Sequence, residues 1–409
     1  MHVALVACFV AFTIDHQREQ RESVSESQLW TSVSGARAEF SVMRLGETPI
    51  DAALRILKYA PIIDTHNDWP GALSWGPTKG VIKNADLNNL PPTQFHTDIT
   101  RLREGRVGAQ FWSAYVACSE FHRQDDSIKN TLTQIDLIKR IVNKYSKTFG
   151  LARTVADIRY LVSHGKIASL IGIEGGHQID GSMAVLRQYY ELGVRYMTLT
   201  HTCHTAWTDS CQGTPIHGGL TKDGYRFINE MNRLGMMVDI SHVSPDSMQQ
   251  AIEASAAPTI FSHSSSFAIT PVPRNVPDNI LELLPKYDGV VMIAFVNDFI
   301  RVNATVPTSV NDLAEHIEHI KSVAGVEHIG LGADFDGSGI NDFAIKDTSK
   351  YPELIAELIR RKFTEKEIVG ITGGNLLRVM EKVEAVARKL KRDTDIEEIG
   401  VTVEKQCFF

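Results

Sequence analysis

In PIIDTHNDWP (61–70), His66 and Asp68 stand two residues apart at the end of an apolar run. If the run is a strand, alternation points both side chains the same way. Neither is cheap to bury without a partner. The pattern recurs along the chain. Glu174 closes ASLIGIEG, His201 closes RYMTLTH, His242 closes MMVDISH, His263 lies near the end of PTIFSHS, and Asp334 and Asp336 end HIGLGADFD. One histidine in such a place is ordinarily a hydrogen-bonded structural residue; a repeated set reads as a metal site. Imidazoles and carboxylates without thiolate suit zinc, with manganese, cobalt or iron as alternatives. Three histidines, one aspartate and one glutamate exceed what a tetrahedral catalytic zinc needs, since it keeps a position open for water. Two ions sharing a carboxylate account for the set. Glu174, in GIEGGH, is the natural bridge, because Gly175 and Gly176 permit close approach.

The elements that would position these residues are eight β-rich runs between 61 and 337: PIID, GAQFWSAYV, ASLIGIEG, RYMTLTH, MMVDISH, PTIFSHS, GVVMIAF and HIGLGADFD. Several are almost wholly apolar, as parallel strands covered on both faces are. Stretches with helical spacing separate them, among them SMAVLRQYYELG, which Gly193 should stop, and TLTQIDLIKRIVNKY. Eightfold β/α alternation predicts an α/β fold of the (β/α)8, or TIM, barrel type, with the metal site at the C-terminal ends of the strands. A doubly wound open sheet is the alternative, but no glycine-rich phosphate turn follows the first strand.

Bulk properties narrow the function classes. The chain has 409 residues, 42 Lys plus Arg and 49 Asp plus Glu, a net charge of −7 with no basic run, which argues against nucleic acid as a partner. Five cysteines form neither a small disulfide scaffold nor a CxxC knuckle. HVALVACFVAFTI (2–14) has the length of a signal-peptide apolar region without a preceding Lys or Arg, and is too short for a comfortable membrane span. We therefore expect an N-terminal segment over 1–48, with an atypical export signal and a flexible polar stretch. The catalytic barrel should span 49–393 and a tail 394–409, the tail lacking a lipid-anchor signal.

Seven motifs in order, DTHNDWP, SLIGIEGGHQID, MTLTHTCHTAW, DISHVS, PTIFSHSS, RNVPDN and GLGADFDG, resemble the membrane (renal) dipeptidase family of zinc metallopeptidases over roughly residues 50–390. The resemblance implies two zinc ions per subunit: His66 and Asp68 on one, His242 and His263 on the other, Glu174 bridging, and a hydroxide shared between them as nucleophile. It implies that His201 steadies the scissile carbonyl, that Arg274 receives the substrate's terminal carboxylate, and that Asp334 handles the proton of the leaving amine. Asp336 is read as supporting, and His177 and His204 as structural. Dipeptides are the implied substrates, with an L or D residue at the C-terminal position; some family members also open β-lactams.

The resemblance further implies a Cys118–Cys203 disulfide, hence an oxidising compartment, and a homodimer, with Cys407 near the place of an intersubunit cysteine. It also implies an extracellular or membrane-associated location by way of the secretory pathway. Phe299 stands where relatives carry a tyrosine at the pocket rim. Asn303 opens a glycosylation sequon, meaningful if the chain is exported. Two rival classes make different demands. A deaminase or deacylase on the same barrel predicts a metal-binding lysine or a His-x-His at the first strand, where this chain has His-x-Asp. A binding protein that had lost its chemistry predicts the loss of Glu174 or Asp334, and both are present.

Overall fold

The computed structural model describes residues 24–31, 42–76, 78–83, 85–118, 126–301 and 308–393. Among these, nine strands form one parallel sheet. They are β1 (Ile62–Asn67), β2 (Val107–Tyr115), β3 (Phe149–Leu151), β4 (Ile167–Glu174), β5 (Val194–Thr198), β6 (Met237–Asp239), β7 (Ile260–Ser264), β8 (Val290–Ile293) and β9 (Ile329–Leu331). The bonded order β2-β1-β9-β8-β7-β6-β5-β4, with β2 pairing back onto β4, closes eight of them into a barrel. These eight are the eight apolar runs. The ninth, β3, is an addition: it pairs with Ile167–Ser169 of β4, below the point at which β5 takes over that edge at Ile171.

Helices cover the outside, which is why strands such as β1 and β4 are buried along their whole length. Met183–Leu192 shows how local chemistry sets the limits. The Ser182 side chain accepts from the Val185 amide at its start, and Gly193 ends it in the left-handed region at φ 114. Ser127–Lys144 forms the second expected helix. Asn375–Asp393 closes the described chain.

Contacts between strands that are not neighbours show that the interior is a packed core. The Thr65 hydroxyl of β1 donates to the Ser262 carbonyl of β7 at 2.6 Å. Tyr196 of β5 donates its hydroxyl to the Thr65 carbonyl at 3.0 Å, and its ring lies 5.3 Å from that of Phe111 in β2. Within the N-terminal segment, Ser25–Gln28 are exposed and the chain meets the barrel at the two residues that follow. Leu29 and Trp30 are buried, and the Trp30 indole donates to the Pro61 carbonyl at 2.9 Å. Their apolar side chains gain more from burial than the polar residues around them would suggest. Residues 1–23, Asn303 and Cys407 lie outside the described residues. No described helix is long and apolar enough to cross a membrane.

Gly172 of β4 shows how tightly the interior is filled: a Cβ there would sit 2.1 Å from Cζ of Tyr196. Gly172→Ala is expected to cost about 1–3 kcal/mol of stability by overpacking, read as a lower urea midpoint. An unchanged midpoint would mean that the Tyr196 ring can yield.

Candidate metal centre

The eight strands bring the candidate residues to one rim, though not all as strand residues. His66 lies in β1, Glu174 ends β4 and His263 lies in β7. Asp68 stands one residue past β1, at the start of the helix Trp69–Trp75. His201, His242 and Asp334 each sit three residues beyond β5, β6 and β9, on the turns that follow. Two of them are left-handed, His242 at φ 64 and Asp334 at φ 67, a conformation that costs a non-glycine residue energy and is found where surrounding bonds enforce it. The Asp334 amide donates to the His66 carbonyl at 3.1 Å, and the His242 carbonyl accepts from the Cys211 amide at 2.7 Å. Gly337 presses from above; a Cβ there would meet Asp334 Oδ1 at 2.5 Å and Asp68 Oδ2 at 2.6 Å.

Glu174 lies at the centre. Its Oε1 is 3.0 Å from His242 Nε2, 3.2 Å from His263 Nε2 and 3.8 Å from His201 Nε2. Its Oε2 faces the other way, 3.5 Å from His66 Nε2. His66 Nε2 also lies 3.2 Å from Asp68 Oδ2 and 3.7 Å from Asp334 Oδ1. The donor atoms fall into three overlapping groups, each with its members within 4.8 Å of one another: His66, Glu174 and His263; Glu174, His201 and His242; His66, Asp68 and Asp334.

Proton accounting fixes two of the rings. Tyr196 spends its only hydrogen on the Thr65 carbonyl, so His66 Nδ1, 2.9 Å from that oxygen, must be the donor to it. Ser262 spends its hydroxyl hydrogen on Asp239 at 2.6 Å, so His263 Nδ1, 2.8 Å from Ser262 Oγ, donates likewise. Both rings therefore carry a hydrogen on Nδ1 and turn Nε2 inward, as metal-binding imidazoles do when the other nitrogen is held by an outer partner. His66 Nε2 and Asp68 Oδ1 are buried with no hydrogen-bond partner. A cation would satisfy both, so the donor set fits a metal.

Burial opposes a charge on His66, but Tyr196 and the Glu174 and Asp68 carboxylates outweigh it and hold the ring well above its usual range. Glu174 is held well below the usual carboxylate range: burial works against ionisation, and His66 and His201, with the adjoining His242 and His263 rings, overcome it. His242 and His263 are driven well below the ordinary imidazole range, chiefly by burial. Asp334 goes the opposite way to Glu174. Burial, helped by the Asp68 and Glu174 charges, pushes it well above its usual range, so this carboxyl is poised to carry a proton. Burial also lowers His201, leaving it neutral.

Arg274 is buried, its Nη1 donating to Ser264 Oγ at 3.1 Å and its Nη2 to the His263 carbonyl at 2.9 Å. Its Nε has no partner, and the guanidinium lies 5.0 Å over the Phe299 ring. Asp336 faces elsewhere, accepting from the His96 amide at 2.7 Å. His204 Nδ1 accepts from the Ser210 amide at 3.1 Å, and His177 Nε2 lies 2.8 Å from the Val116 carbonyl. Cys118 and Cys203 are joined, with their Cα atoms 5.9 Å apart.

Sequence reasoning passed over the residues behind the rim. Asp64 Oδ1 accepts from the amides of His66 and Ala333, and Oδ2 from Tyr351; burial pushes Asp64 up to about 6. Asp239 repeats the device, accepting from the amides of Ser241 and Ser262 and from the Thr198 and Ser262 hydroxyls. The available signal was an aspartate inside an apolar run, in PIID and in MMVDIS.

With this geometry in hand, comparison with known proteins is specific. Residues 50–394 match the model of the membrane dipeptidase family, peptidase family M19. The chain is 43% identical over 361 residues to dipeptidase verJ of Clonostachys rogersoniana, covering 86% of this chain and 91% of that one. It is 41% identical over 364 residues to dipeptidase aclJ of Aspergillus oryzae, covering 87% and 85%. Among solved structures, the probable dipeptidase PvdM of Pseudomonas aeruginosa shares the fold at a TM-score of 0.75 and 20% identity, over 83% of this chain and 99% of that one. A Rhodobacter sphaeroides metallopeptidase liganded with a phosphinate mimic of the dipeptide L-Ala-D-Ala does so at 0.71 and 24%, over 79% and 99%. A rim of buried imidazoles and carboxylates on a closed barrel, and a family match that spans it, lead to one conclusion: the chain belongs to the membrane dipeptidase family and is a metallo-dipeptidase.

Proposed function

We propose that the chain is a dinuclear zinc dipeptidase that hydrolyses the peptide bond of dipeptides with an L or D residue at the C-terminal position, and that β-lactams are secondary substrates. The observation that carries the reading is the division of the Glu174 carboxylate, one oxygen toward His242 and His263 and the other toward His66. In this reading His66 and Asp68 would hold one zinc and His242 and His263 the other, with Glu174 shared between them. When bound, the pair supplies hydroxide at neutral pH and positive charge beside the scissile carbonyl. The chain's own residues do the rest. Arg274 offers its remaining N–H groups to the terminal carboxylate of the substrate. Neutral His201 donates a hydrogen bond to the oxygen that gains charge. Asp334, facing the same centre, shuttles a proton to the leaving amine.

The Cys118–Cys203 disulfide supports maturation in the secretory pathway and an extracellular or membrane-associated enzyme. Glycosylation at Asn303, a homodimer, and a link through Cys407 belong to the same proposal.

Glycyl-D-amino-acid dipeptides, assayed with and without a chelator, test it. Hydrolysis should vanish with the chelator and return with zinc, and Glu174→Gln should lose one ion per chain or most of its activity. Unchanged metal content and rate in that variant would remove the bridge.

Arg274→Lys keeps the charge and loses the fork. KM should rise about 10- to 100-fold, as expected for losing a charged hydrogen bond worth about 1.5–3 kcal/mol, with kcat little changed. An unaltered KM would take Arg274 out of substrate binding.

Metal uptake should also move protons. With His66 raised above its ordinary value, the metal-free fold holds that proton at pH 7. The proton's contribution to stability is present below the unfolded value and is lost as pH rises through the raised one. Zinc needs the nitrogen bare, so loading near pH 7 should release the His66 proton along with one from the water that supplies the hydroxide, about two per chain in an indicator solution, and affinity should rise with pH. Release of about one would mean that His66 is not a ligand.

A further inference from the structure

Outside the cluster around Glu174, a second set of donor atoms converges where β2, β4 and β5 end. Cys118, three residues past β2, and Cys203, five past β5, are bonded to each other and tie the two loops together. His177, in the single turn Gly176–Ile179 after β4, brings a ring nitrogen within 4.8 Å of both sulfur positions. The two nitrogens of that ring are not equivalent. Nε2 lies 2.8 Å from the Val116 carbonyl, which can only accept, so Nε2 carries the ring hydrogen. Nδ1 then keeps a lone pair, and it is buried with no hydrogen-bond partner. Burial holds the ring neutral, its pKa pushed down to about 4.

A disulfide has no proton to offer that lone pair. A metal ion would satisfy it, and a ring N–H held by a backbone carbonyl is the outer arrangement that orients a metal-binding imidazole. Two thiolates on one tetrahedral zinc stand about 3.8 Å apart, given bonds of about 2.3 Å. Side-chain rotation reaches that separation from Cα atoms 5.9 Å apart.

We propose that reduction of Cys118–Cys203 opens a further metal site, made of two thiolates and His177 Nδ1, for a thiophilic divalent cation such as zinc or cadmium. The site is separate from the cluster around Glu174 and does not depend on the dipeptidase reading. The electrons and protons balance with a dithiol as the reductant. The Cys118–Cys203 bond takes two electrons and two protons to give two thiols, and the dithiol closes into its own disulfide. The cation then displaces both thiol protons, His177 contributes its lone pair without proton exchange, and water completes the four ligands. The site adjoins the rim. Cys203 is two residues after His201, and a Cβ on Gly175 would lie 2.4 Å from His177 Cε1 and 3.2 Å from His201 Cβ. Filling it would change what His201 packs against, so redox state and metal supply would act together on the rim.

The test uses the zinc-loaded full chain carrying Cys211→Ser, which removes the free thiol among the described residues. One half is reduced with dithiothreitol and desalted without air; both halves are titrated with cadmium while total bound metal is counted. The reduced half should bind one more ion per chain, with thiolate-to-cadmium absorption in the ultraviolet. Reduced Cys118→Ser/Cys203→Ser should gain neither, and reduced His177→Gln should bind the extra ion at least about tenfold more weakly. Equal metal counts in the two halves would overturn the proposal, as would an extra ion that survives the double serine variant. Loss of the circular dichroism spectrum on reduction would also overturn it. If the serine variant does not fold, the oxidised and reduced halves still decide, because they share one sequence.

Discussion

Glu174, 4% exposed, is a carboxylate surrounded by four imidazoles in a place that water hardly reaches. Taking one ion out of water costs several kcal/mol even after relaxation, so a loose arrangement of these groups would not hold together. The cost is offset only if each ring and carboxyl keeps one orientation. The barrel is the device that keeps it. Its closed sheet leaves no edge to give way, and its interior is filled by side chains from strands that do not touch as neighbours.

Behind the rim, two buried aspartates repeat one solution. Asp64 couples the backbone of β1 to the chain just after β9, through the amides of His66 and Ala333. Asp239 couples the turn after β6 to β7, through Ser241 and Ser262. In both cases a carboxylate inside an apolar strand is paired with several donors, the condition under which a buried charge is tolerated. Asp239 also orients His263 through the Ser262 hydroxyl. The same residues thus hold neighbouring strands in register and set the ring that faces the centre.

The barrel strands were legible because parallel strands covered on both faces must be almost continuously apolar. Their polar ends were legible because such types are costly there without a purpose. What could not be read was finer. β3 is three residues long and carries no pattern that separates it from a loop. His201, His242 and Asp334 look like strand ends in the sequence but sit three residues further on, because the turns are shaped by bonds to distant residues such as Cys211 and His66. Asp64 and Asp239 were visible as oddities inside apolar runs. Tyr196 was not, since a tyrosine in a strand is ordinary until its hydroxyl is found against His66 from across the barrel. The Cys118–Cys203 bond, implied only by family resemblance, is present.

That tyrosine also constrains the order in which the molecule can mature. His66 belongs to the first strand and its anchor to the fifth, and their meeting point lies inside the cylinder. A nascent chain with only its early strands assembled has no means of fixing the ring's tautomer or its direction. The direction in which His66 points is therefore a property of the assembled cylinder, fixed only where the first and fifth strands are both in place.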